Sequence, residues 1–238
     1  MKITKFSLFF ACAAVASSML VSQTHAISIP GSFSAQVEED EIDPFGAGVD
    51  QAFFNVQGDD DPFTVYSIVD FSTAGIGPVS TIADLELDLT QSNAFFSASG
   101  ALEFFLASDT RAVDVTDTAR FISAQPAGAN TGADVVGAAF GTLYPLGSGT
   151  FTVTATGDTD NFPLSLGPAA EAFALSQITS GGILRIVATP GDVGVQATYS
   201  GALSLIDSPP VLSFTVPEPT TLALAGFGLI GFALRRRS

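Results

Sequence analysis

The sequence predicts an all-β protein: a two-sheet antiparallel sandwich of the jelly-roll type, with an N-terminal signal helix and a C-terminal transmembrane helix. Three observations favour this fold. Clusters of Gly, Pro, Ser, Thr, Asn and Asp recur at short intervals through residues 27–216 and separate short runs of alternating apolar residues. The same region holds 16 Phe and 3 Tyr, enough for a hydrophobic core. A single segment between the termini has a helical pattern.

The strand pattern is clearest in Ala83–Thr90. Leu85, Leu87 and Leu89 alternate there with acidic residues, so the leucines are expected to face the core. Residues 63–71 are almost continuously apolar, which predicts a central strand. The other predicted strands are 101–107, 111–115, 150–156, 183–188, 193–199, 202–206 and 211–214. Residues 27–61, richer in charge and glycine, predict a weaker strand and acidic loops.

The predicted helix covers residues 168–177. Pro168 suits the first helical turn, and Gly181 and Gly182 follow as a stop signal.

Charge is strongly unbalanced along the chain. The sequence has 24 acidic and 8 basic residues, for a net charge of −16. Residues 27–216 hold 23 of the acids and only Arg111, Arg120 and Arg185, for a net charge of −20. Nucleic acid is therefore excluded as a partner, because phosphate binding needs clustered Lys and Arg.

Several catalytic groups are confined to the N-terminus. The only Cys (Cys12), the only His (His25) and both Met lie within residues 1–26, and Trp is absent. Residues 27–216 also lack Lys. Without those groups this region cannot form disulfides, Ser-His or Cys-His nucleophiles, or zinc sites built from nitrogen or sulfur.

Residues 1–26 have the pattern of a secretory signal peptide. Lys2 and Lys5 precede an apolar run over residues 6–21, and Thr24 and Ala26 occupy the −3 and −1 positions, which predicts cleavage after Ala26. An uncleaved membrane helix is the alternative. Cys12 is interpreted as an inert residue of the apolar run rather than as a lipoprotein site.

Residues 216–238 combine a proline-rich start, an apolar stretch and a basic end. Residues 221–234 carry no charge, and a helix of that length spans about 21 Å, less than the ~30 Å hydrocarbon core. A buried core helix is the alternative, but Arg235, Arg236 and Arg237 follow directly and could not be paired in a core. They can reach the cytoplasmic headgroups instead, which predicts a membrane segment with its C-terminus inside.

This arrangement resembles the PEP-CTERM sorting signal. Val216, Pro217, Glu218 and Pro219 form the motif, followed by the short apolar helix and the arginines. The segment is also similar to one catalogued as the C-terminal domain of ice-binding proteins. The resemblance implies a Gram-negative bacterial protein that an exosortase processes at the inner membrane, often in organisms that make exopolysaccharide.

Residues 65–110 resemble the opening of carbohydrate-binding-module-like sandwiches on bacterial surface proteins. The resemblance depends on strand spacing and supports the sandwich fold only.

Candidate sites between the termini depend on oxygen ligands and carboxylates. The spacing of Asp158 and Asp160 resembles the first half of a calcium loop, but the glycine and the distal glutamate of that loop are missing. The two residues are therefore interpreted either as calcium ligands or as ordinary solvated surface charge. The tyrosines are candidates for sugar stacking, but single tyrosines in strands are more often core or edge residues. Three glutamates are candidates for a glycosidase pair, although nothing in the sequence pairs Glu86 with another carboxylate. These residues are Tyr66, Tyr144 and Tyr199, and Glu86, Glu103 and Glu171.

Three segments with separate roles are therefore expected: a signal peptide (1–26), an extracytoplasmic sandwich (27–215) and a sorting signal (216–238). The predicted function is that of an exported, non-enzymatic protein that passes through an inner-membrane intermediate to the cell surface or the extracellular matrix. The alternatives are a carbohydrate- or ice-binding module and a carboxylate-dependent glycoside hydrolase.

Overall fold

A computed structural model describes residues 24–37, 42–43, 53–58, 65–113, 140–205 and 207–217. The predicted signal helix and C-terminal helix lie outside these residues. Within them, no helix is long and apolar enough to cross a membrane. The strands are β1 (Thr24–Val37), β2 (Ile42–Asp43), β3 (Phe53–Gln57), β4 (Tyr66–Ser72), β5 (Ala83–Thr90), β6 (Gly100–Ala107), β7 (Leu143–Phe151), β8 (Thr159–Pro163), β9 (Ile183–Pro190), β10 (Gln196–Ser200) and β11 (Val211–Pro217).

The predicted all-β antiparallel fold is confirmed, and strand β1 joins its two sheets. Residues 24–30 of β1 pair with β11, and the order β1-β11-β5-β8 forms what we call the front sheet. Residues 31–37 pair with β4, and the order β1-β4-β9-β6-β7 forms the back sheet, with β2 on the other side of β1. The register shifts between Gly31 and Phe33, where the strand passes from one sheet to the other.

The outer strands of the two sheets, β7 and β8, approach each other. The Ser165 amide, just after β8, donates to the Leu146 carbonyl of β7 at 2.8 Å. The sandwich is therefore nearly closed along this side.

A separate two-stranded ribbon of β3 and β10 contributes Phe54, Val56 and Tyr199 to the core.

The main core lies between the two sheets. The alternation predicted for β5 is confirmed, since Leu85, Leu87 and Leu89 are all buried there. A smaller apolar cluster lies on the opposite face of the back sheet, around Tyr66, Ile68, Phe140 and Val187. The almost continuous burial of β4 follows from apolar packing on both faces.

The one α-helix among the described residues, α1 (Pro168–Ser180), is three residues longer than predicted. Pro168 occupies the first turn, and Gly181 ends the helix with a φ of 67°. The Gly181 amide donates to the Ile178 carbonyl and the Gly182 amide to the Gln177 carbonyl, as in a Schellman ending. Both predicted end signals are confirmed.

Two predicted strands are absent over their described residues, and a third is shorter than predicted at its C-terminal end. Residues 111–113 are not a strand, because the Asp109 carboxylate accepts from the Arg111 amide and turns the chain. Residues 202–205 form a turn closed by the Ser204 amide and the Gly201 carbonyl. The strand predicted over 150–156 ends at Phe151, because side chains satisfy the backbone beyond it. The Val153 amide donates to Ser99 Oγ, for example.

Gly149 of β7 provides a test of the contact between the two sheets. An added Cβ would overlap the ring of Phe162, which is buried beside Phe104 at a centroid distance of 4.9 Å. We therefore expect Gly149→Ala to lower the free energy of unfolding by about 1–3 kcal/mol, as overpacking does in other cores. Gly167→Ala is the control, because its Cβ would meet nothing within 4 Å and its φ is −68°. Equal urea midpoints for the two variants would contradict the packing.

Candidate functional site

The two ends of the described chain lie side by side at one end of the front sheet. Thr24 of β1 is opposite Pro217 of β11, His25 is opposite Val216, and Ala26 is opposite Thr215. Residues 24–26 are exposed, whereas residues 215–217 are half-buried. The chain thus enters and leaves the folded domain at neighbouring points.

On its other side, β11 loses its strand partner earlier. Its pairing with β5 shifts register after Ser213 and ends where Thr215 meets Ala83. The Thr215 hydroxyl is 2.8 Å from the carboxylate of Asp84, whose φ of 49° is left-handed, a conformation that Asp tolerates better than most residues. In the described part of the chain, Val216 and Pro217 therefore pair with β1 alone.

These strands cross both predicted segment boundaries. β1 begins at Thr24, so a cut after Ala26 would fall within the strand. β11 extends to Pro217, two residues into the predicted sorting segment. Of the predicted sorting residues, Val216 and Pro217 are described. Glu218, Pro219 and the cluster Arg235, Arg236 and Arg237 lie outside the described residues.

The calcium candidates already have hydrogen-bond partners. Asp158 is exposed, and its carboxylate accepts from the Ala155 amide at 3.2 Å. The Asp160 carboxylate accepts from the Tyr199 hydroxyl and from Gln91 Nε2, both at 2.9 Å. No group of three or more His, Cys, Asp or Glu side chains is placed to hold a metal ion within the described ranges. Calcium at Asp158 and Asp160 stays a prediction.

The Asp160 contacts form a buried polar cluster that the sequence pattern did not predict. Tyr199 comes from the β3–β10 ribbon, and Gln91 follows β5. Gln91 also accepts from the Thr154 amide and donates to the Thr152 carbonyl. Burial raises the pKa of the Tyr199 hydroxyl well above its ordinary value, and the charge of Asp160 and their hydrogen bond add to the shift. Tyr199 is thus a neutral donor that ties the ribbon to the front sheet.

Of the three tyrosines considered for sugar stacking, two are core residues, which is the alternative that their place in strands favours. Tyr66 and Tyr199 are buried, and burial raises the pKa of the Tyr66 hydroxyl as well. Tyr66 packs edge-on against Phe140, with ring centroids 5.7 Å apart. Tyr144 is half-buried and lies against Phe173 at 5.8 Å. The rings of these tyrosines contribute large apolar surfaces to the two apolar clusters, which accounts for their burial.

The glutamates considered for a glycosidase pair lie on three different elements. Glu86 is on β5 of the front sheet and Glu103 is on β6 of the back sheet. Glu171 is on α1, where its carboxylate accepts from the Ile82 amide at 3.3 Å. This hydrogen bond joins α1 to the loop before β5, so Glu171 has a structural role.

Comparison with known proteins gives a match at the C-terminus. Residues 215–237 match the model of the PEP-CTERM protein-sorting motif. No curated protein matches the chain. The match begins at Thr215, so it includes the last three residues of β11. Through residues 215–237 the chain thus has the C-terminal signal of a protein that an exosortase-type membrane enzyme sorts to the cell surface.

Proposed function

We propose that the protein is exported through residues 1–26, held at the inner membrane by its C-terminal segment, and then cut near residues 216–219 by an exosortase-type enzyme. Its β-domain then acts without catalysis on the cell surface or in the extracellular matrix. One observation carries the proposal: the sorting-motif match begins inside β11, the last strand that the structure describes. No linker separates the domain from the signal.

The adjacent chain ends support a membrane-held intermediate. Thr24 and Pro217 are neighbours across β1 and β11, so the segments 1–23 and 218–238 attach to the domain side by side. Lys2 and Lys5 at one end and the three arginines at the other would both remain in the cytoplasm under the positive-inside rule. In a chain whose signal segment is still uncut, both segments would enter one bilayer from neighbouring points, with the domain on the extracytoplasmic side. Once the signal segment is cut, the C-terminal segment alone holds the domain at the membrane.

The groups available in the domain support a non-enzymatic role. Residues 27–216 contain no His, Cys or Lys, so only carboxylates remain as bases. Glu86 on β5 and Glu103 on β6 alternate with core residues, so they lie on opposite outer faces of the sandwich, whereas a glycosidase needs two carboxylates facing one substrate. Glu171 already accepts a hydrogen bond from the Ile82 amide. A glycoside hydrolase is therefore the weaker alternative.

A carbohydrate- or ice-binding module is the other alternative. The burial of Tyr66 and Tyr199 removes them from any binding face, and Phe95 is an aromatic ring that could replace them because its side chain is 96% exposed. Association of the β-domain with exopolysaccharide is part of the proposed role in the extracellular matrix. A domain of charge −20 would repel an anionic polysaccharide, so the association would depend on a neutral polymer or on bridging divalent cations.

The proposal is tested by expressing the full chain in a host with an intact exosortase and in the same host with the enzyme deleted. We expect a shortened form outside the inner membrane in the first host and a full-length inner-membrane form in the second, both identified by intact mass. A full-length form at the surface of both hosts would contradict the proposal. Polysaccharide turnover by the shortened form that is lost in Glu86→Gln, Glu103→Gln or Glu171→Gln would contradict its non-enzymatic part.

A further inference from the structure

The three residues before the predicted signal-cleavage site pair with the first three residues of the sorting-motif match. Ladder pairs join residues 24–26 of β1 to residues 215–217 of β11. The other four pairs of this ladder, from Ile27–Phe214 to Pro30–Val211, lie further inside the domain. A cut after Ala26 would therefore remove the partners of residues 215–217 and leave the rest of the ladder intact.

Strand β5 cannot replace the lost partners. Its pairing with β11 ends at Ala83, which is opposite Thr215, and residues 76–82 before it are not a strand. The left-handed backbone of Asp84 and the register shift after Ser213 divert β5 at this point. After the cut, Thr215 keeps its hydroxyl contacts with Ala83 and Asp84, whereas Val216 and Pro217 have no strand neighbour.

We propose that an uncut signal segment covers the residues that lead into the sorting motif, so that cleavage after Ala26 must come before processing at the C-terminus. The inference depends on the proposed function, because it requires both cleavages. In the uncut chain, residues 24–26 cover the backbone edge of the residues that lead into the motif. In the cut chain, Val216 and Pro217 are an extended, unpaired extension of the domain.

The requirement for a free backbone edge follows from how extended peptides are recognised. An enzyme that binds an extended segment commonly adds it as a strand to its own sheet, using the backbone groups of the segment for hydrogen bonds. In the uncut chain β1 engages one backbone edge of Val216 and Pro217 and holds both residues on the front sheet, so an enzyme that must enclose the segment from both edges cannot bind it. The same reasoning applies to Ala26, whose pairing with Thr215 would hinder the signal peptidase.

Chain order resolves this mutual obstruction. β1 is the first strand of the described fold and β11 is the last, so β1 crosses the membrane well before its partner. The signal segment can therefore be cut while residues 24–26 are still unpaired, because their partners in β11 have not yet crossed the membrane. β11 then joins a strand that begins at Ile27, and its last residues stay free.

The test uses three variants of the full chain in a host with an intact exosortase. Ala26→Tyr places a bulky side chain at the −1 position, which blocks the signal cut, and tyrosine at this exposed site preserves the strand. His25→Tyr is the matched control, because the −2 position tolerates bulk. The third variant combines Ala26→Tyr with Thr24→Gly and His25→Pro, which weaken the pairing with residues 215–217 while the signal segment stays attached.

Intact mass reports both cuts in each variant. We expect the control to lose both segments, Ala26→Tyr to keep both, and the third variant to keep its signal segment but regain at least tenfold more C-terminal processing than Ala26→Tyr. Normal C-terminal processing of Ala26→Tyr would overturn the inference. So would a third variant as unprocessed as Ala26→Tyr, because the attached anchor, not the pairing, would then be the obstacle. An unprocessed C-terminus in the unmodified protein would instead contradict the proposed function itself.

Discussion

Replacing Pro217, Glu218 and Pro219 together with alanine is expected to leave export intact and to stop removal of the C-terminal segment. A full-length protein should then accumulate in the inner membrane. The signal segment and the domain core are unchanged in this variant, so translocation and folding should proceed. Processing should fall on the order of 100-fold, as expected if two enzyme contacts of about 1.4 kcal/mol each are lost.

The prolines explain why alanine is the informative substitution. Proline fixes φ, lacks an amide hydrogen and holds the preceding residue in an extended conformation. Two prolines around Glu218 therefore separate the end of β11 from the apolar segment that follows. Alanine would allow strand pairing or helix to continue through the motif and would remove the preference of this sequence for an extended conformation.

Intact mass of membrane and surface fractions measures this result. Pro209→Ala is the control, because it removes a nearby half-buried proline just before β11 and leaves the motif unchanged. A surface form of the unmodified protein that still carries residues 221–238 would mean that the C-terminal segment is a permanent anchor. Equal processing of the triple variant and the control would mean that the motif is not what the enzyme recognises.

The fold could be predicted where local pattern and tertiary packing agree. β5 has one face toward the core, so its leucines and acids alternate with a period of two. α1 has a proline and a glycine at positions where only a helix boundary favours both. Each signal is contained within a few neighbouring residues.

Other elements depend on distant partners and could not be predicted. β7 contains Pro145, Gly147 and Gly149, which usually mark turns, but it is an edge strand of the back sheet, where proline needs no partner on its outer side. β1 looked like a weak strand, yet it is the strand that joins both sheets. Its importance comes from β4 and β11, which lie far away in the sequence.

For the candidate site, the sequence predicted the residues but not their contact. The motif residues at 216–219 and the cleavage residue Ala26 follow from local sequence, and nothing in either segment indicates that they meet. Only the antiparallel register of the first and last strands brings Ala26 opposite Thr215. The contact between Tyr199 and Asp160 was missed for the same reason, because it joins the ribbon to the front sheet.

Asp70→Asn is expected to destabilise the domain by about 3–5 kcal/mol, because it leaves a buried guanidinium without its counter-charge. Arg185 of β9 is fully buried opposite Asp70 of β4 in the middle of the back sheet. Its Nε and one terminal nitrogen lie 2.7 and 2.8 Å from the two carboxylate oxygens, and its other terminal nitrogen donates to the Asp109 carbonyl at 3.1 Å. Such a bidentate pair compensates for the cost of burying both charges only while both partners are present.

Urea denaturation of residues 24–217, which contain every described strand, measures the loss as a change in midpoint at constant slope. The double variant Asp70→Leu with Arg185→Met should recover most of the stability, because apolar residues of similar volume need no counter-charge. Arg111→Gln is the surface control: Arg111 pairs with Asp109, but its side chain is 71% exposed, so we expect a loss below about 1 kcal/mol. A loss in Asp70→Asn no larger than in this control would mean that water reaches Arg185 and that the back sheet is less tightly packed around the pair than its burial indicates.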